Sequence, residues 1–251
     1  MSEPASDNWT ILGANAVADT LRAAAPFRPA PQPLTIACEP GDVPADAFAL
    51  GPAALDASNE RAVPWHLAFE AVEEMERALR AGEVGQIYGC FGSYRLPRDT
   101  SVALLTHDAL LPLLATTLHL LDRDVIRVWA QRASLLQPND AWFVTAALAD
   151  ETLVTLEALI VTDIAAGPEL LIEVTGADRV LRAEPLRQAV IVERTGGAPA
   201  VYPWWEDVAE RYLAAVIRAA GAPATRSGSR LRSVWHAIER SVASGAPVWP
   251  A

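Results

Sequence analysis

Apolar and polar positions along the chain fall into two textures that meet near residue 64. Ahead of it, Pro4, Pro26, Pro29, Pro31, Pro33, Pro40, Pro44 and Pro52 cut the pattern into short pieces. Proline at this density leaves room for one helix and three short strands. The pieces read as a strand over Thr10–Leu12, a helix over Asn15–Ala25, a strand over Leu34–Cys38 and a short strand over Ala47–Leu50. That order makes about half of a mononucleotide-binding unit.

From Pro64 the pattern turns regular. Trp65, Phe69, Val72, Met75 and Leu79 recur at spacings of three and four, predicting a helix that Gly82 ends. A strand over Gln86–Arg95 follows. A second helix is predicted from Asp108 to Leu121, with Thr106 as N-cap and Leu110, Leu114, Leu118 and Leu121 on one face. Strand-like runs come next over Val125–Arg132, Trp142–Ala149, Leu153–Thr162, Leu170–Thr175, Val180–Arg182 and Gln188–Arg194. The links Asp150-Glu151 and Gly176-Ala177-Asp178 are short and polar, as between antiparallel neighbours, so the sheet is expected to be mainly antiparallel. Helices over Glu206–Ala220 and Gly228–Ser244 close the chain, with Gly245 and Pro247 as stop signals.

In Trp142–Ala149 both parities are apolar, and Leu153–Thr162 is nearly as two-sided. Four helices of this length cover one face of such a sheet, so the other is expected to meet a second copy, giving a homo-oligomer with isologous contacts.

Composition narrows the function. The chain has 251 residues, 51% of them hydrophobic, enough for a sizeable core. No apolar run of membrane-spanning length and no signal-like N-terminus is visible, so the sequence alone suggests a cytoplasmic protein without a membrane partner. Net charge is −11, which repels a phosphate backbone and argues against nucleic acid. All 20 basic residues are arginine. Without lysine there is no Schiff base, no ammonium acid or base and no P-loop lysine. Cys38 and Cys90 read as buried small hydrophobes, and no metal site is expected, because His66, His119 and His236 lie on three different helices without ligands at the right spacing.

Several segments together resemble one family. ALRAGEVGQIYGCFGSYR (78–95), THDALLPLLATTLHLLDRDVIRVWAQ (106–131), AALADETLVTLEALI (146–160), LLIEVTGADRVLR (170–182) and SVWHAIERSVASGAPV (233–248) are similar, in order and spacing, to the C-terminal domain of the glucose–fructose oxidoreductase/inositol dehydrogenase (Gfo/Idh/MocA) family. The resemblance covers residues 64–248. It implies an α+β domain, with helices on one face of a large, mainly antiparallel sheet, over 64–251, and a shortened Rossmann-like α/β segment over 1–63. It also implies NAD(P)-dependent oxidation of sugars or polyols, with the C-terminal domain supplying the substrate pocket and the oligomer contacts.

The chain departs from the family in its chemistry. Of the G-x-G-x-x-G turn, Gly13 holds the first position while Asn15 and Ala18 occupy the others; Glu39 stands where an acidic residue would bind a ribose hydroxyl. The family's E-K-P lysine has no counterpart. His107 resembles the active-site histidine, with Asp108 beside it, but Ala103 replaces the aspartate expected four positions earlier. Tyr94, Arg95 and Arg98 fall where the family lines its pocket, and an arginine there suits a ligand carboxylate or phosphate.

Two functions stay open on this reading. One is a degenerate family member, a pseudoenzyme that needs no cofactor as a single chain, binds a sugar-like small molecule, and serves as an oligomeric partner of itself or of a full-length relative. The other is an NAD(P)-dependent oxidoreductase whose cofactor site a partner chain completes. His107 is a capped structural residue in the first and a ligand-binding or general-base residue in the second.

Overall fold

A computed structural model of the chain describes residues 8–14, 16–28, 30–39, 43–55, 61–162, 168–187, 189–194, 200–203, 208–221 and 227–251. The chain divides into two compact units, 1–68 with 206–232, and 69–205 with 233–251. The first break thus falls five residues past the one expected at 63/64. In addition, residues 206–232, expected with the large sheet, belong to the first unit.

The first unit is built on β1 (Trp9–Leu12), α1 (Ala16–Ala24), β2 (Leu34–Ala37) and β3 (Phe48–Ala49). The strands are parallel, in the order β1-β2-β3. Later in the chain, α5 (Val208–Ala220) buries Ala209, Tyr212, Leu213 and Val216 in this unit's core, beside Leu21, Ile36 and Phe48. The spacing of those four is that of a one-faced helix. This accounts for the unexpected membership: among the described residues the front segment has one α-helix, and α5 supplies a second to close its core. Tyr212 stacks at 5.1 Å on Trp65 and donates to the Val63 carbonyl at 3.0 Å.

The second unit opens with α2 (Glu70–Arg80). The predicted helix from Pro64 is broken: Trp65–Ala68 forms a 3-10 turn and Phe69 is extended, so α2 starts five residues later than its apolar spacing suggested. Eight strands follow in the sheet. They are β4 (Ile87–Pro97), β5 (Val125–Ala133), β6 (Ala141–Leu148), β7 (Leu153–Val161), β8 (Glu169–Gly176), β9 (Arg179–Glu184), β10 (Ala189–Arg194) and β11 (Ala200–Pro203), in the order β11-β10-β9-β8-β4-β7-β6-β5. All pairings are antiparallel except β4 with β7. The six strand runs expected after residue 124 are all present, although Gln188 lies outside the described residues. Only β11, short and ending in proline, went unread.

Between β4 and β5 lies a continuous helical segment: α3 (Val102–Leu104), a π turn over Leu105–Leu110, and α4 (Leu111–Leu121). Its N-cap is Ser101, whose hydroxyl accepts from Leu104 N–H at 3.4 Å, not Thr106 as the pattern suggested. One face of the sheet is covered. Leu113 of α4 lies over Gly92 and Leu156, and from α6 (Ser227–Ser244) Ser241 Oγ accepts from the β5 amide of Ala130 at 2.9 Å. The C-terminal stretch guards that sheet edge as well, through paired backbone bonds between Val128 and Val248.

The opposite parity, Phe91, Ser93, Thr155, Glu157, Phe143 and Trp129, forms a mixed apolar and polar face. On it Phe143 is half-buried and Leu153 is 53% exposed. At the β5–β6 turn, buried Asp140 accepts from the amides of Leu135, Leu136 and Gln137 at 2.6–2.7 Å. Burial opposes its ionisation, but those donors outweigh it and hold the carboxyl below its usual range.

Candidate functional site

Each unit carries part of the expected chemistry. In the first, β1 runs into Gly13 at φ +119°, and a Cβ there would meet Cys38 Cβ at 3.2 Å. Only glycine suits that combination of dihedral and contact. Glu39 is exposed at the end of β2, with its Cγ 3.4 Å from the same imagined Cβ. Gly13 and Glu39 are therefore side by side. Ala18, at the third glycine position, is fully buried in the core. Asn15 lies outside the described residues. Burial pushes the Cys38 thiol up to about 11, which keeps it protonated and inert.

The free edge of β1 is not bare. Leu12 turns its carbonyl toward β2, where Cys38 N–H donates to it at 2.9 Å, so Ile11 and Gly13 turn theirs outward. Arg22 of α1 donates to both of these outward carbonyls, at 2.9 Å to Ile11, and to Asp19 at 2.8 Å.

In the second unit the π turn sets the geometry. Pro112 has no N–H to give and its ring crowds the carbonyl four residues back. The helix widens there, and Leu111 N–H donates to Thr106, five residues behind it. Such widened turns recur at functional sites. Here the turn displays His107 and Asp108, both exposed, over the covered face of the sheet where Tyr94 lies. Burial and the nearby Asp108 push the Tyr94 hydroxyl up to about 12. Asp108 keeps much of its surface in water, yet the protein around it raises its carboxyl, against the opposing pull of His107. Asp108 thus lies close enough to act electrostatically on Tyr94 and to feel His107.

Arg95 does not join them. As the next residue in β4 it points to the other face, where it pairs with Glu157 at 3.5 Å; the same carboxylate oxygen accepts from Ser93 at 2.6 Å. Arg98 is exposed in the turn after β4. On the covered face, sequence reasoning missed Arg132, Trp142 and Thr106. Trp142 is buried, its indole N–H donates to Thr106 Oγ1 at 3.1 Å, and the Arg132 guanidinium lies 4.7 Å above its ring centre.

Among the described residues no group of three or more histidine, cysteine, aspartate or glutamate side chains is placed to hold a metal ion, and no helix is long and apolar enough to cross a membrane. Burial takes the ring of His66 down to about 3, so it is neutral in the core.

No family model matches the sequence, and no curated protein sequence matches it either. Solved structures do match. A levoglucosan dehydrogenase in complex with NADH has a TM-score of 0.73 at 11% identity, covering 97% of this chain and 99% of that one. A protein from Sinorhizobium meliloti 1021 described as a myo-inositol dehydrogenase has 0.69 at 18%, covering 97% and 99%. An oxidoreductase from Agrobacterium radiobacter in complex with NAD+, L-tartaric acid and magnesium has 0.65 at 15%, covering 96% and 80%. The chain shares the fold of these dehydrogenases. At such identities the likeness concerns the fold, in agreement with the α+β architecture and Rossmann-like beginning expected from the sequence. Within this fold, Gly13 and Glu39 lie at the ends of β1 and β2, and Tyr94 lies on the covered face of the large sheet with His107 and Asp108 in the π turn.

Proposed function

We propose that the chain is an NAD(P)-dependent oxidoreductase acting on sugars or polyols, with its dinucleotide site completed by a partner chain. The supporting observation is the agreement of nearly the whole chain with dehydrogenase structures, one of them a complex with NADH. One half of the cofactor has candidate residues at the ends of β1 and β2: Gly13 lies beside Glu39, and the exposed Glu39 carboxylate would accept from ribose hydroxyls. Among the described residues nothing corresponds to the second mononucleotide half, because β1 ends the three-stranded sheet. Bound NAD(P) would supply a hydride acceptor. This chain's own contribution would be to hold the substrate hydroxyl at His107 and Asp108 and take its proton, with Tyr94 as a neutral donor that orients it.

Two partners suit this reading, a second copy meeting the open sheet face and a full-length relative of the same fold. The test is titration of the purified chain with NADH and NADPH, followed by fluorescence, together with reduction of NAD+ or NADP+ in the presence of myo-inositol or glucose. Binding that tightens as protein concentration rises, with turnover lost in His107→Ala, is the expected result. Absence of coenzyme binding at every protein concentration would overturn it.

A second reading is favoured by the lack of lysine and by Ala103 in place of the family aspartate. On that reading the chain binds a sugar-like ligand and assembles, without turnover. Sugar binding accompanied by neither coenzyme binding nor reduction would select it.

A further inference from the structure

We propose that an oxyanion, the carboxylate or phosphate of a small polar ligand, binds at the far end of the second-unit site, and that Arg132 holds it. The inference rests on the proposed function, with the π turn as its ligand site, and narrows the sugar or polyol of that reading to one that carries an acidic group.

The strand register supplies the frame. Arg132 pairs across to Trp142, Trp142 to Ala158, and Ala158 to Tyr94. These four side chains therefore form one row across the covered face of the sheet. Ala158 is the smallest of them and separates two aromatic rings. Above the row the π turn contributes at each end, with Thr106 on Trp142 and Asp108 beside Tyr94.

Within its unit Arg132 stands out by a buried Nε that has no partner among the described residues. Arg95, Arg123, Arg179 and Arg182 each face a carboxylate. The chain carries 31 acidic residues, yet the Arg132 side chain makes no ion pair among the described residues. Its Nε is buried and unsatisfied. A buried donor without an acceptor costs free energy, and because the enclosed Nε is closed to a ligand, the Nη groups of the half-buried side chain are the ones left to receive it. Trp142 holds the guanidinium from below by a cation–π contact and is itself fixed by Trp235, 6.0 Å away. Thr106 Oγ1 accepts the indole N–H and so keeps its own O–H to donate. A forked cation and a hydroxyl, both anchored on one rigid indole, suit an oxyanion and offer little to a neutral hydroxyl group.

The test titrates the full chain calorimetrically with D-gluconate, glucose 6-phosphate, glucose and myo-inositol. The expected result is about tenfold or tighter binding of one or both anions over the neutral compounds. Which anion wins distinguishes carboxylate from phosphate. Arg132→Gln should erase that preference, bringing the anions to the level of the neutral compounds, and Arg132→Lys should keep part of it. Thr106→Val, which retains the cation, should weaken the anion alone, so the idea stays testable if Arg132→Gln does not fold. Anions that bind no better than neutral sugars overturn the proposal and leave the site reading intact, as does anion binding that survives Arg132→Gln. If none of the four compounds binds, the site reading fails with it.

Discussion

At the scale of single residues the most informative group is Asp108. Its raised carboxyl means that the folded protein prefers the neutral acid, so ionisation at neutral pH works against folding. The sign follows from linkage. The stability that comes with the protonated form is present below the ordinary carboxylate range and is lost as pH rises through the raised value. Asp108→Asn should therefore unfold at a higher temperature than the parent at pH 7, and the gap should close below about pH 3.5. Thermal melts across that range check it, and a variant less stable at pH 7 would contradict the assignment. His107 and Asp108 were singled out in the sequence through the family resemblance, and the structure sets them in a π turn inside a helix that opens at Val102. Arg132 was not, since only the strand register brings residues 94, 158, 142 and 132 into one row. The misplacement of Arg95 beside Tyr94 was avoidable, because adjacent residues of a strand must face opposite ways.

At the scale of elements, the fit of the central strand under α4 is tightest at Gly92. A Cβ there would come within 2.9 Å of Leu113 Cδ1 and of Leu156 Cδ2, both fully buried leucines. Their methyl groups can move, but only into neighbouring core atoms. Gly92→Ala should cost about 1–3 kcal/mol of stability by overpacking. Leu113→Ala opens space at the same point, so the double variant should lose less than the sum of the two single losses. Chemical denaturation of the four proteins measures the coupling, and strict additivity would show that Leu113 is not the obstacle. The strands and hairpins of this sheet were legible from their polar links and period-two runs. The π turn was hidden because Pro112 near the start of a helix reads as tolerated there, and local spacing does not reveal that the helix begins at Val102, ahead of the Asp108 expected.

At the scale of the molecule, α5 shows why a cut along the chain could not give the units. Its apolar stripe of residues 209, 212, 213 and 216 says that the helix is buried on one side, but not which core receives it. The open sheet face raises a similar question of what it meets. Phe91, Phe143, Leu153, Leu171 and Trp129 share that face with the pairs Glu157–Arg95 and Glu173–Arg182, a mixture more apolar than a solvent-facing sheet needs. If a second copy covers it, as proposed, the contact is isologous and each substitution acts twice per dimer. Leu153, more than half exposed and on the central pair β4–β7, is the position where a charge would be most damaging to assembly and least to the fold. Leu153→Arg should shift the molecular mass by light scattering from an oligomer toward the single chain at micromolar concentration, with the circular dichroism spectrum unchanged. A parent protein that scatters as a monomer under those conditions would end the proposal, because the variant would then have no interface to break.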